Sequence, residues 1–522
     1  MEAYAPSEPT ATTEAVGPGL EVLIGLLAGL AGELTRPGAA SLSLHQIEHR
    51  VQEGGRELLR KLLQHVLDVH AAAEPRLPLV IDIDGIPRPR SERGHTRTLL
   101  SVLGPVTITR RAYRAPGESN LYPRDAVLDL PRRRYCWAVQ ATVVDFAVET
   151  SFERAGQWLA AHTGTQVGKR HIEQIVTEAA RNVDAFGLAR HEAVPVPGVP
   201  LVLSVDGKGV AMRPEARRKS RYKPVEPAFG KRLGTGEKRG AKRMAEIGVV
   251  YDALPPDRPR TPKLIMGQVT GPDGTPVRAG QVTAQGRWYT TDITASRAVT
   301  IGKVFAEADR RDPGHERDWV VLADGDSHQI TAIEKEATRR RVTVTIIVDL
   351  IHVLEYLWKV GWCFHKPRDN TIEGWVTARA LDILRGDTRG VIALVKDLAT
   401  QHPPKPGSEH ERLIRTTVGY LTNKLPYLDY PRALAGGWPI STGVIEGACR
   451  HLVQDRMGIT GARWGLTGAE AVLALRAIKT NGELDTYWTY HLQQENQRNH
   501  LDHYQPGQDL TGPHQHNGPP RL

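Results

Sequence analysis

Three acids set far apart in the chain have the type and setting for chemistry. Asp206 closes the apolar run Leu201–Val205, Asp324 follows Trp319–Ala323, and Glu446 stands on a later helix. A carboxylate where a buried strand emerges lies at the rim of a sheet, within reach of a substrate. Two such aspartates and a helix-borne glutamate, in a basic protein, suit divalent-metal catalysis on phosphodiesters. Mg²⁺ is hard and keeps several waters, so a few carboxylates and the substrate phosphates make its site. With two ions about 3.5–4 Å apart, one activates the attacking oxygen and the other stabilises the leaving oxygen. A pair of Mg²⁺ or Mn²⁺ ions is therefore the expected cofactor.

Other acids were weighed against these. Glu411, in Ser408-Glu409-His410-Glu411, and Glu470, in Thr467-Gly468-Ala469-Glu470, read as capping-box residues with structural tasks. Glu446 has Gly443 three residues before it, so no capping box claims it; its plain alternative is an interaction with the helix dipole. Asp82 and Asp84 in VIDIDG look like another acidic strand end, but no independent partner stands near them in sequence and they read as solvent-facing or turn-capping carboxylates. Asp326 and Asp349 are alternatives to Asp324 as the second acid. His352 begins the helix after Asp349, beside Leu350, Val353, Leu354 and Leu357, and its plain reading is structural.

At 522 residues with 40% hydrophobic content the chain can fill more than one core, and two to four domains are expected. The net charge of +9 is concentrated: residues 207–243 hold 13 Lys or Arg against 3 Glu. Such a segment reads as a loop contacting phosphates, with Lys208, Arg217, Arg218 and Lys219 nearest the first acid. Arg450, Arg456 and Arg463 follow Glu446 and either bind DNA phosphates or pair with the acid. Trp464 reads as a core aromatic, with stacking on a base as the lesser alternative. The three cysteines, Cys136, Cys363 and Cys449, have no C-x-x-C spacing, so neither disulfides nor a thiolate zinc site is expected, and the compartment implied is the cytoplasm. The uncharged run Val22–Gly32 is too short to span a membrane and reads as a buried amphipathic helix.

The elements that must position the acids follow from periodicity. Two helical patterns fill Leu20–Ala73, the second with Ile47, Val51, Leu58, Leu62, Val66 and Val69 on one period. Runs Arg97–Leu103 and Val106–Tyr113 read as a hairpin. Ser151–His162 and Lys169–Val183, joined by a Thr- and Gly-containing link, outline a helix-turn-helix, as any helical hairpin would. Strands are expected at Leu201–Val205, Ala245–Tyr251, Lys263–Val269, Gly286–Thr290, Trp319–Ala323 and Val342–Val348, with helices at Ser296–Arg310 and Ile330–Arg341. Four helices follow from Leu350 to Leu421.

This order, with the motifs SVDGKGV, VLADGDSH, Asp349-Leu350-Ile351-His352 and GVIEGACRHLVQDRMGITGARWG, resembles the RNase H-like DDE transposases of bacterial insertion sequences, particularly those akin to the Mutator superfamily. The resemblance covers about 200–480. It implies a multidomain α+β protein: an RNase H-like α/β core with a mixed five-stranded sheet, interrupted by an all-helical insertion, and an N-terminal helical and β DNA-binding region. The expected divisions are a structureless tail at 1–18, a helical and hairpin module at 19–130, a helix-turn-helix-like region at 131–195, core segments at 196–366 and 436–482 around an insertion at 367–435, and a structureless tail at 483–522. It implies that Asp206, Asp324 and Glu446 ligate metal and that His352, matching the family's Asp-x-x-His motif, orients a phosphate or water. The strand order favours Asp324 over its alternatives. The implied partners are terminal inverted repeats, target DNA and further copies of the chain in a synaptic complex, without a membrane and at the nucleoid. The cysteine-rich knuckle of many relatives is replaced by Tyr113-Arg114-Ala115-Pro116-Gly117, so zinc is not expected there. The competing functions are a catalytically silent DNA-binding derivative and a recombination or repair nuclease on the same fold.

Overall fold

A computed structural model describes residues 18–190, 196–217, 242–366, 368–459 and 461–512. The chain divides into two compact units, 1–175 with 488–522, and 176–487. In the first, helix α1 (Pro18–Thr35) and the long α2 (Leu44–Ala72) precede strands β1 (Arg90–Ser101) and β2 (Gly104–Arg114), an antiparallel hairpin. Ser43 and Gln46 start α2 with a reciprocal capping box. Leu63 and Leu67 of α2 pack on Leu99, Val106, Ile108 and Leu130, and Gln64 bonds both the N–H and the C=O of Thr107, at 2.8 and 2.9 Å. Helices α3 (Trp137–Glu149), α4 (Phe152–Thr163) and α5 (Lys169–Ala179) follow, with Gly164 at φ +73° ending α4, and the division between units falls within α5.

The second unit is built on a five-stranded mixed sheet in the order β5-β4-β3-β6-β7. After α6 (Val183–Ala189), the chain runs through β3 (Leu201–Ala211), β4 (Lys242–Leu254), β5 (Thr283–Asp292), α7 (Arg297–Arg311), β6 (Trp319–Ala323), α8 (Ser327–Arg340) and β7 (Val344–Val348). β3, β6 and β7 are mutually parallel, and β4 and β5 are added antiparallel. All five residues of β6 are buried, as expected of a central parallel strand covered on both faces. α7 packs on β3, β4 and β5. It approaches so closely at Gly248 that a Cβ there would stand 2.3 Å from Val304 Cγ2.

Helices α9 (Leu350–Gly361), α10 (Thr371–Leu384), α11 (Thr388–Gln401) and α12 (Glu409–Lys424) form the expected all-helical stretch. Its core includes Val360, Val395 and Ile414, with Trp375 and Val418 against them. Tyr430 then donates its hydroxyl to Val348 O at 2.9 Å, tying the return of the chain to β7. α13 (Gly443–Ala448) leads into a π-helical segment, Cys449–Gln454, and α14 (Leu466–Thr480) packs on β5.

Several expectations are corrected. Lys263–Val269 is not a strand: Thr261 caps a short helix, Pro262–Ile265, and Gly267 turns the chain at φ +67°. Asp206 does not end its strand, because β3 continues to Ala211 opposite Lys242, so the first five residues of the basic segment are strand. Glu470 is structural, but no Thr467 capping box forms; its Oε2 accepts from Ile293 N and Thr294 N at 2.9 and 3.1 Å. Val22–Gly32 is helical yet largely exposed. The stretch from 483, expected to lack structure, contains helix Leu484–Asn499, and Tyr504 is buried with Leu77, Val80 and Tyr113. Asp82 is indeed structural, bonded to Arg88 at 2.5 Å and to the N–H groups of Asp84 and Ile86. The expected tail at 1–18 lies, except for Pro18, outside the described residues.

Candidate functional site

The strand register puts three aspartates in one row. Leu201 pairs with Trp319 and Trp319 with Val344, offsets of 118 and 25 residues. Asp206 and Asp324 also differ by 118, and Asp324 and Asp349 by 25. Asp206 and Asp324 stand two residues past the pair Ser204–Leu322, and Asp349 two past Ile347, on β7. Alternation turns Asp206 to the face of β3 opposite that of its neighbour Val205, which pairs with Gly248, the residue that meets α7. Side chains hold β3 in place where its pairing with β6 ends: Ser204 Oγ donates to Leu322 O at 2.9 Å, and Gln329 Nε2 donates to Val205 O.

Glu446 reaches this row from α13. At one end Thr442 Oγ1 bonds the Asp349 carboxylate and stands 3.1 Å from Glu446 Oε1. At the other end Cys449 Sγ donates to Asp206 Oδ2 at 3.3 Å. Residues 442, 446 and 449 share a helix face by their spacing of four and three. The helical rise over the seven residues from Thr442 to Cys449 is about 10 Å. Two gaps between neighbouring strands also amount to about 10 Å. The segment thus spans the row from Asp349 to Asp206, with Glu446 between its two anchors. A π-helical turn begins at Cys449, where the bridge ends, and resets the face that the following residues present.

The four acids differ in their commitments. Asp349 has a fully buried side chain and caps α9 by accepting from Ile351 N at 2.8 Å. Burial pushes its carboxyl up, but bonds from His352, Thr442 and Ile351 N outweigh that and hold it below the ordinary range. His352 Nδ1 lies 3.4 Å from Asp349 Oδ2. That bond, against the opposing effect of burial and with the charges of Asp349, Asp324 and Glu355 adding to it, raises the imidazole pKa. Asp326 caps α8 through His328 N and is paired with Arg297 at 2.9 Å. Asp206, Asp324 and Glu446 form no ion pair among the described residues; Asp206 accepts from the Cys449 thiol and from Gly207 N, Asp324 accepts from Asp326 N, and Glu446 lies beside the Thr442 hydroxyl. Burial first, and then the charge of Asp206, push the Cys449 thiol far up, so it remains a protonated donor.

Tyr420 stacks on Tyr356 with ring centroids 3.9 Å apart, and its hydroxyl stands 3.5 Å from Asp324 O. Gly325, at φ +91°, makes room for it: a Cβ would come within 2.7 Å of the Tyr420 hydroxyl.

Of the expected phosphate contacts, Lys208 and Arg217 are half-buried, Arg450 is exposed, and Arg218 and Lys219 lie outside the described residues. Arg456 is corrected: it is 2% exposed, with its guanidinium 4.8 Å over the Trp464 ring, and is not presented at a surface. Trp464 is the buried aromatic expected. Thr442 and Cys449 were missed, although their spacing of four and three around Glu446 was a readable sign of a shared face.

As donors, Asp206, Asp324 and Glu446 offer hard carboxylate oxygens that no ion pair among the described residues occupies, which fits a hard divalent cation in kind. Among the described residues, no three His, Cys, Asp or Glu side chains are already drawn together closely enough to hold an ion. No helix among them is long and apolar enough to cross a membrane. No curated protein matches the chain. Residues 40–194 match the family described as "Uncharacterised protein family (UPF0236)", a span that stops before the first of the three acids.

Proposed function

We propose that this chain is an RNase H-like DDE transposase of an insertion sequence, acting on DNA at the nucleoid. It would hydrolyse phosphodiesters at the element ends and join the freed 3′-OH to target DNA. The observation that carries the reading is that Asp206 in β3 and Asp324 and Asp349, one residue past the ends of β6 and β7, fall in register on one line across these adjacent parallel strands, bridged by the segment that bears Glu446.

In this reading Asp206, Asp324 and Glu446 hold two Mg²⁺ or Mn²⁺ ions, and Asp349 stays outside the set because its oxygens are spent on the cap and on Thr442. When bound, such ions activate the attacking oxygen and stabilise the leaving one. Cys449 orients the Asp206 carboxylate as a neutral donor, leaving its charge for the cation, while Thr442 gives its single proton to Asp349 and leaves Glu446 uncommitted. His352, held by Asp349 and partly exposed, donates toward a non-bridging phosphate oxygen. Lys208 and Arg450 lie near the same site in sequence and meet the flanking phosphates. Further copies of the chain bring two element ends together.

The test is a nicking and strand-transfer assay with the purified full chain, Mg²⁺ or Mn²⁺, and duplexes carrying the element's terminal repeats. Asp206→Asn, Asp324→Asn and Glu446→Gln should each lower cleavage by at least about a hundredfold, as loss of a principal electrostatic group does. Intact ends with the wild-type chain, or variants as active as wild type, would refute the assignment. Salt-sensitive DNA binding without cleavage would point to the silent derivative.

A further inference from the structure

Two helices of the N-terminal unit carry more apolar surface than the described residues cover. α2 is 29 residues long and has no buried residue, although a helix in a globular protein ordinarily turns an apolar stripe into a core. At 3.6 residues per turn, Leu44, Val51, Leu59, Leu62, Val66 and Val69 fall within roughly 80° of one another. They are 40–71% exposed. From Leu59 the spacing is three, four, three, the rhythm of a coiled-coil seam. On α1, Leu20, Ile24 and Leu27 repeat it with a spacing of four and three, at 42–54% exposure.

The two helices run antiparallel. Gly19 lies against His65, Gly54 against Leu30, and Arg50 bonds Glu33 at 2.9 Å. On each helix the exposed stripe is turned by about a quarter of a revolution from this contact line, in the same sense. For antiparallel helices that arrangement brings both stripes to one side of the hairpin. The result is one continuous apolar face, not two separate ones.

Nine large side chains at this exposure amount to an area on the order of several hundred Å². That exceeds what a monomer usually leaves in one patch and approaches the roughly 800 Å² per partner of a stable dimer. A seam of this rhythm is complemented by helices of the same rhythm, and the chain itself carries two.

We propose that the α1–α2 face pairs with the same face of a second copy about a twofold axis, making a four-helix assembly that holds the protein as a dimer. The contact is isologous, so each residue near the axis meets its own counterpart. It is independent of what the acids of the second unit do.

Light scattering coupled to size exclusion, on the full chain in the micromolar range, should give twice the chain mass. Leu62→Glu with Val66→Glu should halve it while circular dichroism keeps the wild-type helix signal. As a second measurement that does not disturb the face, Leu59→Cys, Leu62→Cys and Val66→Cys are oxidised one at a time. At least one should form a disulfide-linked dimer, whereas Glu53→Cys, on the opposite side of α2, should not. A wild-type monomer, a dimer that survives both glutamates, or a seam on which no cysteine cross-links would overturn the proposal. So would a monomer that co-sediments with phosphatidylglycerol vesicles, since the face would then belong to a lipid surface.

Discussion

Asp349 and His352 show how one pair of side chains can tie stability to pH. His352 has its pKa raised above 6.5 by its bond to Asp349, and Asp349 is held below 3.8 against its own burial. A histidine raised in the fold adds stability that is complete below its unfolded pKa and is lost as pH climbs through the folded value. A carboxylate lowered in the fold adds stability that is complete above its unfolded pKa and is lost as pH falls through the folded one. Urea unfolding at stepped pH should therefore show the wild type weakening as pH rises from 6.5, and His352→Gln should flatten that slope; an unchanged slope would dismiss the coupling. The acids themselves were legible in the sequence because each follows an apolar run or opens a helix. Their neutral partners were legible only as a shared face with Glu446, by the spacing of four and three; that Thr442 and Cys449 meet Asp349 and Asp206 depends on the folded sheet. Arg456 was misread because a basic residue was counted as surface, when Trp464 eight residues on gives its guanidinium an apolar ring to cover.

Among the elements, the continuous apolar strands β6 and β7 and the buried half of β3 could be read directly. The extension of β3 past Asp206 could not, because Gly207 and Gly209 have little strand propensity and only pairing with β4 keeps them extended. The π-helical turn at Cys449–Gln454 leaves no trace in composition either. Packing at the element scale makes a sharp demand at Gly248. Its hydrogen is all that fits between β4 and α7, and Gly248→Ala would force Val304 Cγ2, 2.3 Å away, and Thr290 Cγ2, 3.0 Å away, to move. The expected cost is about 1–3 kcal/mol, the range for overpacking a tight core. Chemical denaturation measures it, and a variant as stable as wild type would mean that α7 slides without cost.

At the scale of the whole molecule, the chain leaves its first unit at residue 175 and re-enters it at 488, after the entire sheet has been made. The ends of the second unit are fastened to each other, the Tyr487 hydroxyl bonding Ala179 O. A chain stopped after Tyr487 would keep all four acids of the row and its bridge. It would lose Tyr504 from the cluster with Leu77, Val80 and Tyr113, and Gln508 from its bond to Ile81 N. Thermal unfolding of that truncation should show the N-terminal unit melting earlier with the second unit little changed; the opposite order would contradict the division. In genetic terms, a stop codon after Tyr487 is here an N-terminal lesion: residues translated after the whole sheet finish the core that Leu77, Val80 and Tyr113 began.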